Sequence, residues 1–182
     1  MSFTEQYHAL ARYNTWMNER LYALCATLSD EERKHDMGAF FRSIHGTLNH
    51  ILLADRVWLH RFTGDPALSR SLDRDGNPIP FRSLDQELYA DFETLRRERA
   101  KSDAHIEAWA AGFDPAQLAA SFSYRSTNGV LREHPRWQAV THFFNHQTHH
   151  RGQVTTLLSQ LGHDPGVTDL VVFLWEQGGA HA

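Results

Sequence analysis

The sequence predicts an all-α fold, a four-helix bundle with a small β-hairpin before the fourth helix. Four long segments place apolar residues three and four positions apart, which is the period of an amphipathic helix. Residues 63–82, between the second and third of these segments, contain three prolines and two glycines. An Asn-Gly pair precedes the fourth segment and is the strongest local signal for a hairpin.

The length and composition are those of an ordinary globular protein. The chain has 182 residues, and we expect residues 1–182 to form a single helical bundle domain. Hydrophobic residues make up 41% and charged residues 22%, so a disordered chain is not expected. A core of this size folds without disulfides.

The charge and the cysteine content exclude several classes of function. The formal net charge is −4 and no basic run stands out, so neither nucleic acid nor an anionic membrane is an expected partner. No run of about 18 apolar residues predicts a membrane span. The start of the chain lacks the pattern of a signal peptide, and Cys25 is the single cysteine, so we expect a cytoplasmic protein without an intrachain disulfide.

The first two helices carry capping signals at their starts. A long helix is predicted over residues 2–28, where Ser2 and Glu5 have the spacing of a capping box. Ser29 and Glu32 repeat this spacing and predict a short helix directly afterwards.

The second and third long helices are separated by a long connection. The second helix is predicted over residues 43–62 and ends before Gly64 and Pro66. A loop as long as residues 63–82 is uncommon inside a compact domain. A crossover along the length of the bundle explains it and predicts that the second and third helices are parallel.

The third helix is predicted over residues 83–112. Ser83 and Gln86 have the spacing of a capping box, and Gly112 is a plausible stop.

A hairpin and the longest helix follow. The stretch "SFSYRSTNGVLREHP" alternates around Asn128 and Gly129, as in a hairpin. Pro135 suits the first position of a helix that continues to Gly162. A short apolar segment, residues 168–177, closes the chain.

The chain is rich in histidine, with 13 residues of this type. In the fourth helix His142 with His146, and His146 with His150, are four residues apart and so share a face, as two ligands of one metal ion would. From His142 to His150 the helix rises about 12 Å, so these three histidines are too far apart to bind one ion together. A third ligand must come from another helix, where His50 is the best placed. The spacing does not choose between the two pairs, and it is also compatible with surface histidines that bind nothing.

At these residues the chain resembles the DinB/YfiT family of bacterial proteins. The similar stretches are "TLNHILLADRVWLHRF" and "HFFNHQTHHRGQV", together with "YNTWMNERL" and "GAFFRSIHGTLNH". The resemblance implies a four-helix bundle, often a homodimer, with a divalent metal ion held by His50, His146 and His150. Zinc or nickel are the leading metals it suggests, with iron or manganese behind them. Relatives in the wider superfamily include S-transferases that use a low-molecular-weight thiol.

Four further residues are candidates for the surroundings of the site. Gln153 follows His150 by three residues and is a candidate for the pocket wall. Arg151 matches the family motif and could pair with a carboxylate or a substrate. Tyr124 on the hairpin could overhang the site, and His142 could support the ligands. For each of the four a purely structural role is the competing interpretation, and no catalytic acid or base is identified.

Three hypotheses for function follow. Three neutral imidazoles leave coordination positions open, which is typical of a catalytic site, so the leading hypothesis is an enzyme that uses the ion to activate a thiol cofactor or water. Its reaction would be S-transferase-like or hydrolase-like on a small-molecule substrate. The alternative is a metal-binding or ligand-binding module without catalysis. In the third hypothesis, the histidines of a structural dimer are incidental.

Overall fold

The computed structural model describes residues 3–178 and confirms a mostly helical fold with one small hairpin. Within those residues the elements are α1 (Phe3–Cys25), α2 (Asp30–Lys34), α3 (Ile44–Thr63), α4 (Pro66–Ser69), α5 (Phe92–Ala111), α6 (Pro115–Ala119), β1 (Ser121–Arg125), β2 (Leu131–Pro135), α7 (Arg136–Gln160) and α8 (Leu170–Gly178). No helix in this described part is long and apolar enough to cross a membrane.

The long helices α3 and α5 run parallel, as the crossover predicts. Near the middle of α3, Asp55 pairs with Arg99 of α5. Farther along both helices, Phe62 stacks on Trp109, with ring centroids 4.7 Å apart. In both contacts the residue numbers increase in the same direction along α3 and α5, which requires parallel helices. The connection between α3 and α5 therefore spans the length of the bundle.

Helices α1 and α7 form the second parallel pair. Tyr7 shares a hydrogen bond with Thr141. About two turns farther along α1, Asn14 accepts a hydrogen bond from Arg151, which lies almost three turns beyond Thr141 in α7. Helices α3 and α7 are antiparallel, because Phe62 contacts the early Phe143 while residues before Phe62 contact later parts of α7. This pairing sets the two helices that carry the candidate ligands side by side.

The interior consists of two apolar clusters separated by a layer of polar side chains. One cluster contains Met17, Leu21, Leu48, Leu95 and Leu158, and the other contains Ala11, Leu59, Ile106, Val140 and Phe143. Asn14, Asn18, Asp55, Arg99, Asp103, Gln147 and Arg151 lie between the clusters and are all buried. We call these seven residues the polar layer.

The polar layer joins the four long helices. The Arg99 guanidinium binds Asp55 at 2.6 Å and Asp103 at 2.8 Å. Gln147 donates to Asp55 at 3.0 Å, and Arg151 donates to Asn14. Two aspartates and two arginines balance in charge, which limits the cost of burying them.

The predicted start of the third helix at residue 83 is wrong. Helix α5 begins at Phe92, and its cap is Asp91, whose carboxylate accepts a hydrogen bond from the backbone of Thr94. Ser83 and Gln86 lie in a turn, where the backbone of Gln86 donates to the Ser83 carbonyl. The capping-box spacing is therefore present without a helix.

A side chain of α3 keeps this segment out of the helix. The amide oxygen of Asn49 accepts hydrogen bonds from the backbone N–H groups of both Leu88 and Tyr89, each at 2.9 Å. The side chains of Leu88 and Tyr89 are buried in the first apolar cluster. These long-range contacts outweigh the local helical preference of the segment.

The other helices and strands that the sequence predicts are present, with small shifts of their bounds. The strands pair antiparallel from Ser121–Pro135 to Arg125–Leu131, and Gly129 in the turn has a φ of 81°, which favours glycine. Pro135 caps α7 from outside and is not its first residue. The capping box that opens α2 is present. The one predicted for the first helix includes Ser2, which lies outside the described residues.

Candidate metal centre

Three histidine side chains converge where α3 and α7 pack together. His50 comes from α3, and His146 and His150 come from α7. One ring nitrogen from each lies within 4.8 Å of the others. The Nε2 atoms of His146 and His150 are 3.1 Å apart, and those of His50 and His146 are 3.3 Å apart. We call these three residues the histidine set.

His142 lies beside the histidine set but does not belong to it. It lies one turn before His146 in α7, and the two ring centroids are 5.7 Å apart. The structure therefore brings His50 together with the pair His146 and His150, one of the two pairs that helical spacing left open.

The polar layer fixes the register that brings the set together. Gln147 follows His146 directly, and its side chain binds Asp55, which lies little more than one turn beyond His50. Because this bond crosses from α7 to α3, it holds the two helices at the height where His50 meets His150. This role of Asp55 could not be predicted from the sequence, since its spacing of five residues from His50 takes it off the ligand face.

Hydrogen bonds at Nδ1 define the tautomers of two members of the set. The Nδ1 of His50 lies 2.7 Å from the carbonyl oxygen of Leu84. The Nδ1 of His150 lies 2.8 Å from the side-chain oxygen of Gln153. Carbonyl and amide oxygens only accept, so both Nδ1 atoms carry the proton, and both Nε2 atoms present a lone pair.

The histidine set has too few protons for its own contacts. The Nε2 atoms of His50 and His150 both face Nε2 of His146, which carries at most one proton when neutral. In at least one of these two close contacts, a lone pair on one nitrogen therefore faces a lone pair on the other. A cation between them removes this repulsion, and nitrogen ligands at 2.0–2.1 Å around a tetrahedral ion are about 3.3 Å apart. The donors and their spacing fit a transition metal ion.

Burial keeps the three rings neutral. Loss of hydration lowers the pKa of His146 to about 3 and that of His50 to about 4, and it also lowers the pKa of His150. Neutral imidazole is the form that binds metal, so the set needs no deprotonation near pH 7.

Phe41 closes one side of the set. Its ring stacks on His50 with centroids 3.8 Å apart and meets the edge of His150 at 5.5 Å. Gly46 makes this position possible, because a Cβ atom there would lie 2.2 Å from the Phe41 carbonyl oxygen. Sequence reasoning missed Phe41. The only signal was a glycine one turn into a helix that otherwise follows the apolar pattern.

A cavity of about 210 Å³ opens on the other side of the set. Its wall includes His50, Trp58, Tyr124, His142 and His146. The ring of Trp58 lies 5.0 Å from Tyr124 and 5.2 Å from His142, so these aromatic rings form one continuous face. No aspartate or glutamate of the described chain lines this cavity.

Gln153 contacts the histidine set, whereas Arg151 lies away from it. Gln153 orients His150 through the hydrogen bond at Nδ1. Arg151 is buried and turns toward α1, where it donates to Asn14 and lies over the ring of Tyr13. Arg151 therefore lies in the polar layer and outside the wall of the cavity.

Comparisons with known proteins agree with this architecture. The sequence model described as "DinB family" matches residues 1–180. "Protein DinB" of Bacillus subtilis (strain 168) is 24% identical over 177 residues, which cover 91% of this chain and 92% of that protein. The crystal structure of a DinB-like protein from Bacillus cereus ATCC 10987 matches with a TM-score of 0.55 at 23% identity, over 84% of this chain and 91% of that one, and supports the fold. This chain belongs to the DinB family.

Proposed function

We propose that this protein is a metal-dependent enzyme for a small-molecule substrate, with His50, His146 and His150 as the ligands of a divalent ion. The observation that carries the proposal is the convergence of three neutral imidazoles whose lone pairs face one another beside a cavity. Three protein ligands with an open side are typical of a catalytic metal site, whereas structural zinc sites have four.

The residues around the set have distinct tasks in this proposal. The Leu84 carbonyl and Gln153 hold the rings of His50 and His150 with Nε2 turned inward. Phe41 excludes water from one side, and the cavity beside Trp58 admits the substrate from the other. A bound ion would supply a Lewis acid that activates a thiol or a water molecule for attack on an electrophile.

The ligand type and the cavity wall bear on which metal is bound and which reaction is catalysed. Imidazole donors suit zinc and nickel better than manganese, which favours oxygen ligands, and iron is the next choice. In the described chain no carboxylate lines the cavity, so no carboxylate is available there as a general base. A low-molecular-weight thiol would release its proton to solvent on binding as a thiolate, so it would need no carboxylate base in the cavity, which favours S-transfer over hydrolysis.

The second candidate function is a metal-binding or ligand-binding module without turnover. The same lack of a carboxylate in the cavity wall favours it. The homodimer, the single domain over residues 1–182, the cytoplasmic location and the exclusion of nucleic acid stay predictions.

Elemental analysis of the purified, untagged protein tests the proposal. We expect about one equivalent of metal in the wild type and a loss of most of it in His50→Ala and His150→Ala. His149→Ala is the matched control, because His149 is exposed on α7 next to His150 and is not a member of the set. It should keep its metal.

The outcomes separate the hypotheses. No metal in the wild type, even after incubation with zinc or nickel, contradicts both the enzyme and the metal-binding module. Metal without turnover, when thiol-transfer and hydrolysis substrates are screened, supports the module. Turnover that His150→Ala abolishes and His149→Ala retains supports the enzyme.

A further inference from the structure

A second, larger cleft continues from the cavity beside the histidine set. Its volume is about 480 Å³, and it shares Val57, Arg61 and Tyr124 with the smaller cavity. The apolar part of its wall comes from Leu53, Ile79, Phe81 and Leu88. A molecule that fills the cleft can therefore extend past Arg61 toward the histidines.

The polar part of this wall is positively charged. It includes four arginines, Arg56, Arg61, Arg70 and Arg125, and no aspartate or glutamate of the described chain. Glu98 balances Arg56 at 2.8 Å. The other three arginines have no carboxylate within 4.0 Å among residues 3–178. A cleft with this excess of positive charge is unusual in a chain whose formal net charge is −4.

Arg61 occupies the junction between the cleft and the cavity. It is half-buried, and its guanidinium lies 4.7 Å from the ring centroid of Trp58 and 5.1 Å from that of Tyr124. Burial lowers the pKa of Arg61, and no carboxylate of residues 3–178 pairs with this cation to offset the loss of hydration. Its donors fit a carboxylate or a phosphate, which guanidinium binds through two hydrogen bonds.

We propose that this cleft binds a small organic anion, a molecule with a carboxylate or phosphate group and an apolar portion. The anionic group binds Arg61, with Arg70 and Arg125 nearby, and the apolar portion lies along Ile79 and Leu88. We further propose that such an anion is the substrate or co-substrate class of the metal centre. This second step rests on the proposed function, whereas the binding itself does not.

Isothermal titration calorimetry with matched probes tests the proposal. Benzyl phosphate and phenylacetate are anions with an aromatic ring, and benzyl alcohol is the neutral counterpart. We expect at least one anion to bind about tenfold more tightly than benzyl alcohol. Arg61→Gln should remove most of this difference, and Arg61→Lys should keep part of it, because the charge remains without the planar donor pair.

Three further variants control for charge and for folding. Arg96→Gln makes the same charge change at an exposed residue of α5 outside the cleft, and it should leave binding unchanged. Arg70→Gln and Arg125→Gln replace exposed residues, so they test the cleft even where Arg61→Gln misfolds. Each should weaken binding about threefold, less than a half-buried arginine.

The same titrations in His150→Ala separate the cleft from the metal. Affinity that depends on Arg61 in both backgrounds supports the proposal, and it does so even where the protein proves to hold no metal. Anion binding that is lost in His150→Ala and unaffected by Arg61→Gln assigns the anion to the ion and overturns the proposal. Equal binding of benzyl phosphate and benzyl alcohol, or equal effects of Arg61→Gln and Arg96→Gln, overturns it as well.

Discussion

The polar layer and the histidine set adjoin each other in the bundle, where Gln147 and Arg151 of the layer directly follow His146 and His150 of the set along α7. They differ in how their polar groups are paired. In the polar layer, Arg99 faces two carboxylates, and Gln147 and Arg151 donate to acceptors on neighbouring helices. In the histidine set, two lone pairs face a third nitrogen that can donate to only one of them. Both groups are largely removed from water.

This difference separates polar groups that hold the fold together from a group that fits the metal ion proposed above. Buried donors matched to buried acceptors stabilise one arrangement of the helices. Acceptors crowded against acceptors do not, and they persist only because the surrounding packing keeps them in place. Burial alone therefore does not identify a site, and neither does a single unpartnered atom, since Arg99 Nε and Gln147 Oε1 of the polar layer also lack a hydrogen-bond partner within residues 3–178. Three acceptor-bearing rings that converge on one point are the stronger sign.

Breaking the polar layer should give the largest effect. Arg99→Met leaves Asp55 and Asp103 buried without their shared cation, and we expect a loss of about 4 kcal/mol in the free energy of unfolding. Urea denaturation followed by circular dichroism measures this loss. Arg97→Met, at the exposed neighbouring position, should change the stability by less than about 0.5 kcal/mol. Similar values for the two variants would show that the layer does not hold the helices.

Filling the histidine set should stabilise the protein by a smaller amount. At a metal concentration 100-fold above the dissociation constant, zinc adds about 2.7 kcal/mol to the free energy of unfolding. Thermal unfolding with and without zinc shows this as a higher midpoint in the wild type and in His149→Ala. His150→Ala should show no such shift. A shift of equal size in His150→Ala would place the metal elsewhere.

The acidity of the polar layer gives a third comparison. Burial raises the pKa of Asp103 to about 6, so the folded protein holds this proton more tightly than the unfolded chain does. The resulting stabilisation is complete below the unfolded pKa near 4 and is lost as the pH rises through about 6. Relative to Asp103→Asn, the wild type should therefore lose about 2 kcal/mol of stability between pH 4 and pH 6.

Denaturation curves of both proteins across this pH range measure the difference. Exposed carboxylates such as Asp91 have the opposite trend, because hydrogen bonds from Thr94 lower the pKa of Asp91. The comparison with Asp103→Asn removes this trend, since both proteins share it. A constant difference between the two proteins from pH 4 to pH 6 would contradict the raised pKa.

The same two regions show how far the sequence could lead. Helical spacing singled out the pairs in α7, and the resemblance chose His146 and His150 with His50, because these signals are local or carried by a motif. The partners Leu84 and Phe41 could not be predicted, since each reaches His50 through a segment without helical period. Their positions depend on contacts between distant parts of the chain.

Local signals also failed where a distant side chain competed with them. The capping-box spacing at Ser83 predicted a helix that Asn49 prevents by binding the backbone of Leu88 and Tyr89. Asp55 and Gln147 likewise show their roles only once α3 and α7 are placed side by side. The order of the helices was accessible from the sequence, whereas the polar contacts that set their register were not.

The smallest predicted effect concerns Gln153, the side chain that accepts the hydrogen bond from Nδ1 of His150. Gln153→Ala removes the acceptor at Nδ1 of His150, which frees the ring to rotate and to adopt the wrong tautomer. We expect metal affinity to fall about tenfold, measured by competition with a chromophoric chelator. Gln153→Glu should keep or raise the affinity, because a carboxylate is the stronger acceptor, and Gln138→Ala, exposed on the same helix, should leave it unchanged. An affinity that all three variants leave unchanged would mean that packing against Phe41 alone orients His150, and that the set depends less on matched hydrogen bonds than the polar layer does.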